Sequence, residues 1–263
     1  MKYFFIYSFS SFSIILSGFL LIHLLFFPLN TLAQEVSFQE LKNAANLINS
    51  TRLKKPPYRS RNEMDALLKD IQKEILPYAK QICLEVSIDG NCEWETKMTE
   101  INAVNASASG TNEINIYTGL IRNIYSKEEL AFVYAHEIAH HIANHVSKSK
   151  RDTLLGAIMG AIVGSSLDNG SINDSILLGA QLGNLRYSRN RESQADLIAL
   201  AILYEADYDL DEASNMLIRL SRLSPGSAFS NWSSSHPSGP ERVAIFSRNI
   251  KVFEESFKSD EIQ

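Results

Sequence analysis

Hydrophobic positions in this 263-residue chain recur mostly at helical spacing, with one stretch of alternation in between. Val36, Phe38, Leu41, Ala44, Ala45, Leu47 and Ile48 form one amphipathic stripe and predict a helix. Lys54-Lys55-Pro56-Pro57 interrupts it as a linker. Helical periodicity resumes from Met64 to Ala79 through Leu67, Leu68, Ile71 and Ile75. Between residues 82 and 120 the period drops to two. Cys83-Leu84-Glu85-Val86-Ser87-Ile88 alternates. Residues 101–108 are polar–apolar with small side chains, and Glu113-Ile114-Asn115-Ile116-Tyr117 alternates cleanly, so three strands are expected. Thr118-Gly119 then turns the chain toward another helix. There Ser126 and Glu129 have capping-box spacing, and Leu130, Val133, Tyr134, Ile138, Ile142 and Val146 step by three and four.

Further on, residues 153–185 hold two apolar, glycine-rich runs separated by Asp168-Asn169-Gly170. Each is too short to span a bilayer. They read as a helical hairpin, either packed closely or over the site described next, or else in contact with a membrane surface or a partner. Ala195, Leu197, Ile198, Ala199, Ala201, Ile202 and Leu203 predict a mostly buried helix. Pro240 takes the N1 position of the last helix.

The first 33 residues form a targeting segment. Lys2 gives a thin positive start, residues 3–27 are almost wholly Phe, Ile, Leu and Ser, and Pro28 ends the run. Thr31-Leu32-Ala33 offers small residues for signal-peptidase cleavage before Gln34. The apolar run is also long enough to remain as an uncleaved anchor. The expected location is the periplasm, either free or held at the inner membrane facing it. Residues 34–60 read as an N-terminal helix and linker, and residues 61–263 as the main domain. The basic positions between 52 and 61 are expected to be a solvated connection, with anionic lipid head groups as a weaker partner. Hydrophobic content of 45% is ample for a core, and a net charge of −5 gives no footprint for nucleic acid. Cys83 and Cys92, the two cysteines of the chain, flank an Asp89-Gly90 turn signal. An exported protein could join them as a disulfide across a hairpin; two reduced thiols are the other reading.

The candidate chemistry is His136-Glu137-Ile138-Ala139-His140. On a helix, His136 and His140 project from one face a turn apart, a spacing that lets two neutral imidazoles share one Zn²⁺. Glu137, at the edge of that face, is placed to hold a water activated there and take its proton. A catalytic zinc uses three protein ligands. Downstream, Glu192 and Asp196 lie four apart on an otherwise apolar helix, where a carboxylate needs a partner. Glu192 is the candidate third ligand. Asp196 is the candidate acceptor for the other ring N–H of a zinc histidine. His141 reads as a bystander, and His145, five beyond His140 and off the ligand face, reads as a helix-capping or packing residue. His236, in a Pro-flanked loop before the last helix, could hydrogen-bond an oxyanion, reach the metal at rest and block the water position, or be a surface histidine. Arg242 is a salt-bridge or substrate partner. Asn105, Ala106, Ser107 and Ala108 form a small-residue edge that an extended peptide could join by strand addition.

Taken in order, the edge at residues 105–108, Tyr117-Thr118-Gly119-Leu120, the H-E-x-x-H-x-x-x-x-H run ending at His145, Glu192 with Asp196, and His236-Pro237 with Glu241-Arg242 resemble the prenyl-protease-type zinc metallopeptidase family of HtpX-like, Oma-like and BepA-like gluzincins. The resemblance covers residues 60–250. It implies an α+β, mainly helical gluzincin fold, with a small mixed or antiparallel sheet whose edge strand precedes the zinc helix. It also implies one zinc on His136, His140 and Glu192, with Glu137 as general base, Asp196 behind a ligand and His236 auxiliary. The expected function is endopeptidase action on misfolded or unassembled envelope and outer-membrane proteins. The alternative is a holdase or assembly factor with latent peptidase activity. By this resemblance the chain is expected to be a small periplasmic member without the tetratricopeptide repeats of the BepA-like branch or the multiple membrane spans of HtpX.

Overall fold

In a computed structural model, the described residues are 36–86, 91–109, 112–145, 191–222, 236 and 238–258. The expected targeting segment at 1–33, the turn at Asp89-Gly90, the hairpin at 153–185 and the approach to Glu192 at 187–190 lie outside them. The fold is mainly helical with one small mixed sheet. Its elements are α1 (Phe38–Ser50), α2 (Arg61–Val86), β1 (Glu95–Thr99), β2 (Ala106–Ala108), β3 (Glu113–Tyr117), α3 (Thr118–Asn123), α4 (Lys127–His145), α5 (Arg191–Glu205), α6 (Leu210–Ser221) and α7 (Pro240–Lys258).

Serine caps start three of these helices. Ser37 and Glu40 form a reciprocal box at α1. Ser60 and Glu63 do the same at α2, with the Ser60 N–H donating to Glu63 at 2.7 Å and the Glu63 N–H to Ser60 Oγ at 3.3 Å. At α4 only half of the predicted box forms. The Glu129 N–H donates to Ser126 Oγ at 3.2 Å. The Glu129 carboxylate instead accepts from the Tyr125 N–H at 2.7 Å and pairs with buried-side Arg219 of α6 at 2.9 Å. Glu129 is buried, and a buried carboxylate is held by a cation better than by a second amide.

α4 is the centre of the fold. It packs against α5, α6, α2 and two strands, β2 and β3. Every side chain from Glu129 to Ala143 is buried except His140, which marks where the helix meets the outside. The sheet order is β1-β3-β2, with β1 parallel and β2 antiparallel to β3. β3 buries Ile114 and Ile116, the alternation of its sequence. A Thr96–Tyr134 hydroxyl contact at 2.7 Å ties β1 to α4. Gly119 lets the start of α3 press against the chain before β2: a Cβ there would stand 2.4 Å from the carbonyl oxygens of Asn102 and Ala103.

Three expectations need correction. Residues 83–86 are the last turn of α2, not a strand. Cys83 continues the stripe of Ile71, Ile75, Ala79 and Ile82, all buried, so burial against the core overrides a short alternation. The disulfide itself is present, Cys83–Cys92 with Cα atoms 5.8 Å apart, and it joins a helix end to the approach of β1 rather than two hairpin strands. Of the small-residue stretch 101–108, only Ala106–Ala108 is strand. The carbonyl of Ile101 is used instead by the Gly119 N–H at 2.9 Å. Lastly, the basic stretch is no mere solvated connection. Arg59 donates to the carbonyls of Ile121, Ile124 and Tyr125 at 3.1, 2.9 and 2.6 Å, satisfying groups that the end of α3 leaves without helical partners.

Candidate metal centre

Four side chains from three parts of the chain converge at one point. His136 and His140 stand a turn apart on α4, Glu192 is in the first turn of α5, and His236 lies just before α7. The three imidazole nitrogens face one another: His136 Nε2 is 3.1 Å from His140 Nε2 and 3.3 Å from His236 Nδ1, and the last two are 3.4 Å apart. Glu192 oxygens lie 3.3 Å from His136, 3.4 Å from His140 and 3.0 Å from His236. Nitrogens so placed cannot all hydrogen-bond one another, because each neutral ring has one acceptor and one donor nitrogen. Lone pairs aimed at a shared centre explain the arrangement. Donors 3.0–3.4 Å apart leave room for an ion about 2 Å from each, the length of zinc–nitrogen and zinc–oxygen bonds. The donor set therefore fits Zn²⁺.

The shell behind the cluster is equally ordered. Asp196, one turn after Glu192 on α5, lies 3.0 Å from His136 Nδ1. That contact puts the ring proton on Nδ1 and turns the Nε2 lone pair to the cluster. Arg242, on the first turn of α7, forks onto Asp196 with Nε at 2.5 Å and Nη2 at 2.7 Å, and its Nη1 is 3.1 Å from Glu192. Arg242 is only 3% exposed. Its side chain thus spans one candidate ligand, Glu192, and the residue that orients another, His136. It shares one α7 stripe with the buried Phe246, Asn249 and Phe253, and of its two sequence readings the structure shows the salt bridge.

Electrostatics follow from this packing. Burial opposes charge on His136, but hydrogen bonds to Asp196 and Glu192 outweigh it and raise the group to about 9. Burial and the neighbouring His136 charge push His140 down to about 3, so it is neutral and ready to ligate. Burial works against ionisation of Glu192, yet hydrogen bonds to His136 and His236 hold its carboxyl far below the usual range. Glu137 behaves oppositely, with burial raising it more than the nearby histidines lower it. One prediction arises here. In the metal-free protein His136 keeps its proton until about pH 9, whereas ligation requires the neutral ring. Zinc uptake at pH 7–8 should therefore release about one proton from His136, with none from His140, and the release should fade above pH 9. Titration calorimetry in buffers of different ionisation enthalpy reads this number directly, and a pH-independent affinity would contradict the assignment.

Glu137 is next to the cluster but outside it, with Oε1 3.4 Å from His236 Nε2 and its carboxylate accepting the Ala108 N–H of β2. β2 is an edge of the sheet. Asn105 and Ser109 pair with β3, through Tyr117 N–H to Asn105 O and Ser109 N–H to Glu113 O. Antiparallel alternation then turns the backbone groups of Ala106 and Ala108 outward. Asn105 Oδ1 accepts the Ala106 N–H at 3.0 Å. Ser107 pairs opposite Asn115. His141, read from sequence as a bystander, is buried with Nε2 2.5 Å from the Ser109 carbonyl. Nothing in the spacing of the motif announces that role.

Two comparisons with known proteins bear on the chain. The sequence profile of peptidase family M48 matches residues 69–249. Mitochondrial metalloendopeptidase OMA1 of Arabidopsis thaliana is 30% identical over 163 residues, which cover 62% of this chain and 33% of that relative. The chain therefore matches about one third of the length of the relative.

Proposed function

This chain belongs to peptidase family M48, and we propose that it is a zinc-dependent endopeptidase of the cell envelope acting on misfolded or unassembled envelope proteins. The observation that carries the reading is the His136, His140, Glu192 and His236 donor cluster with the buried carboxyl of Glu137 against it. When bound, zinc supplies polarisation of a scissile carbonyl and lowers the pKa of water at the site. Glu137 takes the proton of the attacking water and hands it to the leaving amine. Burial raises its pKa, a direction that suits a group that must accept a proton and then give it up. Asp196 and Arg242 hold the ligands in place. The outward carbonyls of Ala106 and Ala108, beside Asn105 and Ser107, meet the N–H groups of an extended substrate, and their small side chains let it approach. The apolar first 33 residues and the Cys83–Cys92 bond support an oxidising compartment, the periplasm, with the segment either removed or retained as an inner-membrane anchor.

His236 Nδ1 stands at the fourth vertex of the cluster. Were His236 to hold the metal together with the other three donors, it would take the position that a water needs in a four-coordinate catalytic site, and an incoming substrate would have to displace it. That observation favours a peptidase latent at rest. It also keeps a second reading alive, a holdase or outer-membrane assembly factor in which hydrolysis is secondary. Residues 153–185 are the proposed contact with membrane or assembly machinery in either case.

Zinc removal tests the main reading. The purified protein loaded with one zinc per chain should generate new N-termini in an unfolded polypeptide. Chelation should stop this and stoichiometric zinc restore it. Cleavage that continues after metal analysis shows the zinc gone would dismiss the proposal, as would a zinc-loaded protein that cuts nothing while binding unfolded chains.

A further inference from the structure

We propose that His141 is a positioning residue that fixes the substrate edge of β2 against the catalytic base. Glu137 and His141 are four apart and lie one turn above the other on α4. Glu137 accepts the N–H of Ala108, and His141 holds the carbonyl of the next residue, Ser109, at 2.5 Å. A carbonyl only accepts, so the His141 proton is on Nε2. Two successive side chains of one helical face thus grip the end of a strand only three residues long. Such a strand has little ladder of its own to set its place, because only alternate residues bond β3. His141 is buried, and its neighbour His140 belongs to the donor cluster. The same helix therefore sets the metal, the base and the substrate edge, and a shift of β2 would misalign the outward groups of Ala106 and Ala108 relative to Glu137.

The inference rests on the endopeptidase reading for its consequence, but not for the clamp itself, and the test separates the two. His141→Gln retains an N–H donor of similar reach, while His141→Met has similar length and no donor. With equal zinc content, H141M should show at least about tenfold faster amide exchange than H141Q across residues 106–109, with α4 amides unchanged, as expected from losing a bond that tethers a short edge. For a peptide long enough to cover β2, KM should rise about tenfold in H141M and be largely restored in H141Q, with the loss falling on KM more than on kcat. Equal exchange in the two variants, or a KM that does not differ between them, overturns the proposal. If the wild-type protein hydrolyses nothing, the endopeptidase reading fails and the exchange comparison still decides the clamp. Should H141M not fold, the intact protein decides it: a slowly exchanging His141 Nε2 proton, seen by nuclear magnetic resonance, supports the bond, and its absence overturns it.

Discussion

Glu137→Gln is expected to lower kcat for peptide hydrolysis by roughly 10²–10⁴-fold, the usual worth of a positioned general base, with one zinc per chain retained. The split follows from placement. Glu137 is not among the four donors, so the metal has no reason to leave. Glutamine can still accept the Ala108 N–H through its amide oxygen, so the substrate edge stays where Glu137 put it. Only the proton acceptor is lost. KM should therefore move little, the pattern of an interaction used in the transition state and not in the ground state. Turnover with an extended peptide and metal analysis of the same preparation check both halves. Undiminished kcat refutes the base assignment. In cells the variant also separates the two functional readings: full replacement of the wild type by Glu137→Gln would favour a binding role over hydrolysis.

Sequence pattern was most informative where chemistry demands particular residues at particular spacing. The H-E-x-x-H pair needs helical phase and nothing else, so His136, His140 and the position of Glu137 were readable before any fold was known. Glu192 and Asp196 were readable because two carboxylates on an apolar helix require partners, and the structure supplies a donor cluster for one and His136 with Arg242 for the other. Local alternation served less well. Residues 83–86 alternate, yet they extend a long helix whose buried face Cys83 continues. Contacts set by tertiary placement left no local trace. His141 looked like a spare histidine because its partner is a backbone carbonyl 32 positions earlier. Arg59 looked like a solvated charge because the carbonyls it satisfies lie more than sixty positions later. His236 had three readings from sequence, and its meeting with the other donors depends on how the start of α7 docks on α5.

Replacing Arg242 should damage both stability and metal binding, and the two losses can be told apart. Arg242→Met keeps the length and removes the charge. Among the described residues, Asp196 is then a buried carboxylate left with His136 as its ion-pair partner, and the Nη1 contact to Glu192 is gone. Breaking a buried pair by deleting one partner costs about 3–5 kcal/mol where the other charge is left uncompensated. In the metal-free protein below about pH 9, the protonated His136 still offsets part of the Asp196 charge. The loss should therefore fall below that range and grow as the pH rises past 9. Urea unfolding of the metal-free protein should show that loss. Zinc affinity should fall by about 10–100-fold as well, the usual effect of losing a residue that orients ligands, since Arg242 steadies both Glu192 and the acceptor for His136 Nδ1. Arg242→Lys should recover part of the stability and less of the affinity, because a single ammonium cannot fork onto Asp196 and reach Glu192 together. Pairing Arg242→Met with Asp196→Asn removes the stranded charge. That double variant should regain most of the stability, while zinc binding stays weak because Glu192 still lacks its support. An Arg242→Met protein with wild-type unfolding and wild-type zinc affinity would mean that the fork onto Asp196 does not organise the centre.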